Sequence, residues 1–424
     1  MRSVDAMPRA ENLKDAYNNL YVEPLKKAQE FKEFYVERPD SASSPIGELK
    51  DRIEISNRKE KYLFLGFRGS GKSTELNRLE AALDEGRFLI VNYSIREDLN
   101  MSDFDFKEFF VSMALKIYDM ARSESIPIQQ DIEKDFQEFI KRVTKVTEEE
   151  FTSITSGGIS WSQIILLKIN REAKTREYLR TELDLKISDL ILRLNWLILD
   201  IEDKSGKQIV VIVDDLDKLT RGQQSEDFFY KNYGLLVQPD CFIVYTFPIP
   251  LAFHPSYESV RQAFNWDVVL LQIPVKDRQG NEDPEGIEFY RQVVLRRMNQ
   301  DLLEDKILEK AIVSTGKLSE FVEIMRDSSL NAFRMRRKQI IEDDVEIALD
   351  KLRTMYDRTL TEAHKKKLLE IHSCHEARDE GPDSTIIREL LFSLSAVEYK
   401  DREGRWCEID PLLMPLAEKW RKSQ

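Results

Sequence analysis

Two rhythms of apolar residues alternate along the chain. Short, continuous runs rich in β-branched and aromatic side chains occupy 61–65, 87–93, 208–213, 241–247 and 268–273. Such short runs predict strands, and the continuous β-branched run at 208–213 predicts one buried on both faces, as in a parallel sheet. Between them apolar residues recur at helical spacing, as at Leu76, Leu79 and Leu83. Alternating strands and helices predict an α/β core, a parallel sheet flanked by helices. The most apolar helical stretch, 187–201, is broken by Asp189, Arg193, Asn195 and Asp200. It predicts a buried amphipathic helix and falls short of the roughly 20 apolar residues of a membrane span.

The same pattern divides the rest of the chain. Residues 1–45 predict a helical arm with aromatics at Tyr17, Tyr21, Phe31, Phe34 and Tyr35. Residues 46–282 hold the sheet and a long, mostly helical insertion at about 104–205. Inside the insertion, 152–161 predicts a loop and 161–168 a short strand. Insertions of this size usually carry partner or regulatory contacts. Residues 283–356 predict a helical layer. In 357–424 a helix at 385–391 precedes two alternating runs, 396–400 and 405–409, joined at Asp401-Arg402-Glu403-Gly404, a hairpin signal.

Composition narrows the classes. A chain of 424 residues predicts two or three domains, and 42% apolar residues suffice for their cores. The formal charge, 64 − 77 = −13, disfavours nucleic acid as a partner and argues against an anionic membrane surface. One local basic cluster stands out, Arg334, Arg336, Arg337 and Lys338, and reads as a solvated helix face, with a phosphate contact as the rarer alternative. From 351 to 424 there are 14 basic and 14 acidic side chains, so the last domain lacks the basic balance of a DNA reader. Three cysteines, Cys241, Cys374 and Cys407, are too few for a disulfide framework and point to a reducing cytoplasm. His372, Cys374, His375 and Cys407 match no compact zinc spacing and read as surface polar residues with one buried cysteine. The first 20 residues, polar and mixed in charge, are neither a signal nor a transit peptide.

The chemistry gathers at the end of the first strand. There the sequence reads Gly66-Phe67-Arg68-Gly69-Ser70-Gly71-Lys72-Ser73-Thr74 and runs into a helix. Strand, glycine-rich loop and helix are the setting that the phosphate-loop pattern requires. Glycines let the backbone curl with its N–H groups turned inward, and the start of the helix adds its own free N–H groups. Lys72 then brings a positive charge to β- and γ-phosphates, and the Ser73 hydroxyl can ligate Mg²⁺. Of 15 glycines in the chain, three lie in this one loop, and a plain turn does not account for the Lys-Ser that follows.

Such a site needs a carboxylate on a second strand to hold the metal. The run 208–213 ends in Asp214-Asp215. Two carboxylates at the end of a buried strand are costly unless a cation meets them. Asp214 is the expected Mg²⁺ carboxylate and Asp215 the residue that polarises the attacking water. Asp217 reads as a helix cap. Thr246, ending the next strand, is placed to hydrogen-bond a γ-phosphate or that water. Together these residues predict binding of ATP with Mg²⁺ and its hydrolysis.

This layout resembles the AAA+ superfamily of P-loop ATPases, especially origin-recognition-type initiators and the STAND and KAP-like signalling ATPases, over roughly residues 45–424. The resemblance implies a helical lid at 283–356 and a winged-helix-like domain at 357–424. It makes Arg261, just before the last core strand, a candidate arginine finger acting on a neighbouring subunit, with an ordinary surface arginine as the equal alternative. Relatives usually carry an arginine, the sensor-2 residue, where Ser319 stands. That departure bears on hydrolysis and lid closure and leaves ATP binding untouched. The function implied is an ATP-dependent switch that regulates or assembles a partner complex through self-association or a protein effector, in a bacterial or archaeal antiviral or stress-response setting. The alternatives are a DNA-binding initiator or loader and a non-hydrolysing ATP-binding scaffold.

Overall fold

The buried runs form one sheet in the computed structural model, which describes residues 8–39, 44–146, 160–219, 222–377, 385–401 and 403–423. Its strands are β1 (Lys61–Gly66), β2 (Phe88–Ser94), β3 (Gln208–Asp214), β4 (Phe242–Pro248) and β5 (Trp266–Leu270), in the order β2-β3-β4-β1-β5. Residues pair in parallel from Phe88 with Gln208 to Ser94 with Asp214, and from Val210 with Phe242 to Val213 with Tyr245. Ile209, Val210, Val211, Ile212 and Val213 are fully buried. Each such side chain contributes about 1.5–3 kcal/mol over its exposed state, which fixes β3 inside the sheet. The fold is α/β, a parallel sheet flanked by helices.

The last strand departs from expectation. It lies at Trp266–Leu270, earlier than the apolar run at 268–273. It is an edge strand, half exposed, and the Arg52 guanidinium sits 3.7 Å over the Trp266 ring. An edge strand is marked by alternation rather than by continuous apolarity.

The chain divides into two compact units, residues 46–65 with 78–268, and residues 1–45 with 66–77 and 269–424. In the first, the insertion is helical where described. Trp161–Arg171 is a helix and not the expected strand. The Ser160 hydroxyl caps it by accepting from Gln163 N, and Trp161, Ile165, Leu166 and Ile169 are buried at helical spacing. Eight residues lack the length to separate that period from an alternating one. The loop expected before it falls, over 152–159, outside the described residues. The helix Ile187–Ser205 buries Leu190, Ile191, Leu194, Leu197, Ile198 and Ile201 and ends at Gly206, whose φ of +68° closes it. Its opposite side leaves Leu192, Trp196 and Leu199 exposed, so it is only one-sidedly buried. No helix among the described residues is long and apolar enough to cross a membrane.

In the second unit the arm and the helical layer share one core. Leu13, Ala16 and Leu20 from the helix Leu13–Asn19 and its end pack with Tyr290, Val294, Phe321 and Met325. The layer comprises the helices Pro284–Leu295, Ile307–Val313, Leu318–Arg334 and Glu342–Asp357. In the basic cluster, Arg337 is 2.5 Å from Asp344, while Arg334, Arg336 and Lys338 are exposed. After the helices Glu362–Cys374 and Thr385–Phe392, β6 (Ala396–Asp401) pairs antiparallel with β7 (Gly404–Ile409) in the expected hairpin. Arg402 in its turn lies outside the described residues. His372 and His375 approach Glu408 at 2.8 and 3.1 Å, Cys407 is buried and Cys374 is exposed.

One carboxyl in that hairpin carries a pH dependence. Glu398 on β6 is buried, with Arg405 no nearer than 3.8 Å, and burial pushes its carboxyl up to about 7. From roughly pH 4.5 to 7 the folded chain keeps this proton and the unfolded chain loses it, so stability falls as pH rises through that window. Glu398→Gln should remove this share of the slope and stabilise the domain by about 1–2 kcal/mol at pH 8. Urea unfolding at pH 5 and pH 8, followed by Trp406 fluorescence, measures it. The same slope and the same stability in the variant would mean the carboxyl is solvated.

Candidate functional site

The phosphate loop leaves β1 at Gly66 and enters the helix Lys72–Ala82. Two of its glycines do what other residues cannot. Gly69 and Gly71 have φ of +81° and +95°, in the left-handed region. A Cβ on Gly69 would also stand 2.0 Å from Ser319 Oγ, so the loop's close approach to the layer requires the missing side chain. Lys72 is 5% exposed, and its Nζ donates to the carbonyls of Gly66 at 3.0 Å and Phe67 at 2.7 Å. The cation thus folds back over the loop that carries it, and within 66–74 Arg68 is the exposed residue. Ser70 N also donates to Phe67 O, at 3.2 Å, while Ser73 is half-buried at the second position of the helix.

Groups from the arm and the helical layer surround the loop's outer side. Leu25 N donates to Thr74 Oγ1 at 3.2 Å, and Asn77 Nδ2 to Leu25 O at 2.8 Å. The buried Glu75 accepts from the hydroxyls of Tyr35 at 3.0 Å and Ser44 at 2.6 Å. Arg38 donates to the carbonyls of Ser70, at 3.1 Å, and Leu271. Ser319, at the start of the helix Leu318–Arg334, meets the loop through its backbone, whose N–H donates to Gly69 O at 3.1 Å.

In the other unit, β3 ends in a tight acidic turn. Asp214 is half-buried, and its Oδ1 accepts from Asp215 N at 2.7 Å. Asp215 takes φ of +69°, which Asp tolerates better than most residues, and the chain then coils through Leu216–Lys218. Asp215 is 7% exposed, accepts from the Ser94 hydroxyl at 2.5 Å and pairs with Lys218. Its charge is therefore already engaged. Carboxylate oxygens of Asp214, Asp215 and Asp217 lie within 4.8 Å of one another. Hard oxygen donors of this kind suit Mg²⁺ rather than a soft metal. Asp217, expected as a cap, stands inside the short coil.

Thr246 is fully buried, and its hydroxyl donates to Val213 O at 3.1 Å and accepts from Leu216 N at 3.0 Å. Its one proton goes to the backbone of β3, so in this arrangement it braces the acidic turn and offers no donor outward. Arg261, on the helix Tyr257–Ala263, is exposed and holds Glu258 of its own helix with two bonds, at 2.8 and 2.9 Å. That pairing holds the Glu258 carboxyl down, at about 2.

Ser94, Lys218, Arg38, Glu75 and Lys317 did not emerge from the sequence. Ser94 and Lys218 could have been suspected from their places, the end of β2 and three residues past Asp215. Arg38 and Lys317 carry no periodic or motif signal.

No family model matches the chain, and no curated protein matches it. Solved structures do. The ORC1 protein of Aeropyrum pernix in complex with DNA is 14% identical, covering 96% of each chain at a TM-score of 0.41. The ORC2 protein of Aeropyrum pernix in its ADPNP–ADP complexes is 11% identical, with 94% of this chain and 98% of that one covered and a TM-score of 0.40. The RuvB Holliday junction branch migration motor of Thermotoga maritima is 11% identical, with 91% and 95% covered and a TM-score of 0.36. At such identity and such superposition, nothing about activity passes from these proteins to this one.

Proposed function

We propose that this chain is an Mg²⁺-dependent P-loop ATPase that works as a nucleotide-driven switch. The observation that carries the reading is the loop 66–74. Two glycines in left-handed conformation curl it, a helix starts at its end, and Lys72 is held at its rim by two carbonyls that a bound phosphate would replace as partners. Gly66, Phe67, Arg68, Gly69, Ser70, Gly71, Lys72, Ser73 and Thr74 make the phosphate cradle. Mg²⁺, when bound, would neutralise phosphate charge. The residues that would hold it are Ser73, through its hydroxyl, and Asp214, through its carboxylate. Asp215 orients the attacking water once Lys218 lets it go. Thr246 holds the turn that presents both acids.

The switch reading rests on a continuous path inside one unit. Gly69 O meets Ser319 N, and two residues earlier Lys317 pairs with Asp410 of the C-terminal domain at 2.8 Å. With no guanidinium at Ser319, the loop's state reaches the layer through backbone contact. We assign 283–356 as the lid and 357–424 as a winged-helix-like partner-binding domain. Self-association is the second part of the reading. Arg261 is exposed, so a neighbouring copy's nucleotide can compete with Glu258 for it.

Two substitutions test the division of labour. Asp215→Asn should keep ATP and Mg²⁺ bound and slow hydrolysis at least about tenfold, roughly 1.4 kcal/mol of barrier. Asp214→Asn should instead weaken the Mg²⁺ dependence of binding. Identical behaviour of the two variants, or no turnover by the parent, would leave only a nucleotide-binding scaffold.

A further inference from the structure

The arm before the sheet has no place in the phosphate-loop pattern, yet it ends on the loop. Arg38 is half-buried there. Its Nη1 donates to Ser70 O at 3.1 Å, and its Nη2 donates to Leu271 O, on the chain leaving β5. Burial pulls the guanidinium's affinity for its proton down, and the Glu75 carboxylate opposes that. An arginine remains charged under either influence.

The bond to Ser70 O has a consequence for the neighbouring N–H. Carbonyl and N–H of one trans peptide point in opposite directions. The Ser70 carbonyl belongs to the same plane as Gly71 N–H. A guanidinium that holds this carbonyl outward turns the Gly71 N–H the other way. Gly71, at φ +95°, has no side chain to fix that plane by itself. The preceding plane is held in the same manner, by Ser319 N on Gly69 O at 3.1 Å. Two successive peptides of the cradle are thus pinned from outside, one by the layer and one by the arm. The other arm contacts, Tyr35 and Ser44 on Glu75 and Leu25 on Thr74, fasten the first turn of the helix behind the loop.

We propose that Arg38 is a positioning residue for phosphate recognition: it presets the Ser70–Gly71 peptide so that the loop meets the β-phosphate with its N–H groups already aimed. The inference rests on the nucleotide-binding reading of the loop. Arg38 acts through the backbone and need not touch the nucleotide. Its fork spans two carbonyls at once, which an ammonium does not.

The test compares two nucleotides on the full chain. ADP carries the β-phosphate that the loop receives, and AMP does not. In Arg38→Ala the preference for ADP over AMP, read as a ratio of dissociation constants by calorimetry, should fall at least about tenfold. AMP affinity and the melting temperature without nucleotide should stay near the parent's. Arg38→Lys, which keeps the charge and loses the fork, should lose most of the same preference, and it carries the test if the alanine variant does not fold. An unchanged ADP:AMP ratio overturns the proposal, as does an equal loss of both nucleotides, which is the mark of a merely structural role. A parent that binds neither nucleotide refutes the reading of the loop itself.

Discussion

Lys72→Ala should abolish the thermal stabilisation that ATP and Mg²⁺ give the parent. Lys72 is buried, and its Nζ donates to the carbonyls of Gly66 and Phe67, both within its own loop. A phosphate exchanges those neutral acceptors for charged oxygens, and charge-assisted bonds are roughly twice as strong as neutral ones. The affinity lost is therefore much larger than the stability lost. Ligand at about 100 times its dissociation constant stabilises a protein by about 2.7 kcal/mol, and the whole of that should vanish in the variant. Without nucleotide, the substitution should cost about 1 kcal/mol, the worth of two modest hydrogen bonds partly replaced by water. Thermal unfolding with and without nucleotide measures both quantities. An undiminished shift in the variant would remove the loop from the binding site.

Part of the candidate site is legible in the sequence. A phosphate cradle is local. Its glycines, its lysine and the helix behind it are neighbours in the chain, and their spacing carries the geometry. The β3 strand was equally plain, because burial on both faces leaves a continuous apolar run ending in two acids. What was not legible depends on residues distant in sequence. Ser94 reaches Asp215 across 121 positions, and Arg38 reaches Leu271 across 233. Such pairs leave no period in the chain. The sequence places Thr246 at the end of its strand, but whether its hydroxyl turns outward or back to Val213 is decided by packing. The helix Trp161–Arg171 and the early start of β5 depart from the sequence expectation for a different reason. Short apolar stretches do not separate helix from strand, and an edge strand with an exposed Trp266 hides its pairing.

The largest loss of stability is expected at Lys317, a residue with no role in the loop's motif. Its side chain is fully buried, 2.8 Å from Asp410, itself fully buried, and 2.7 Å from Glu320. It also donates to Tyr356 Oη at 2.6 Å and Leu394 O at 3.2 Å. Burial on its own would pull the ammonium down, but Asp410 and Glu320 overcome it and hold it above its ordinary range. The group is charged at neutral pH, and its contribution to stability is lost only at alkaline pH, as pH rises beyond the ammonium's unfolded value. The surroundings leave no slack, since a Cβ on the adjacent Gly316 would lie 2.7 Å from both Pro411 Cδ and Tyr399 Oη. Lys317→Met fits the aliphatic stem and strands two carboxylates in the interior. Removing one partner of a buried pair costs about 3–5 kcal/mol. Adding Asp410→Asn should restore part of that, because one of the stranded charges is then gone. Chemical denaturation of the two single variants and the double variant gives the coupling directly. A loss under about 1 kcal/mol for Lys317→Met, or strict additivity with Asp410→Asn, would mean that water takes the ammonium's place and that the helical layer and the chain around Asp410 are not joined through this pair.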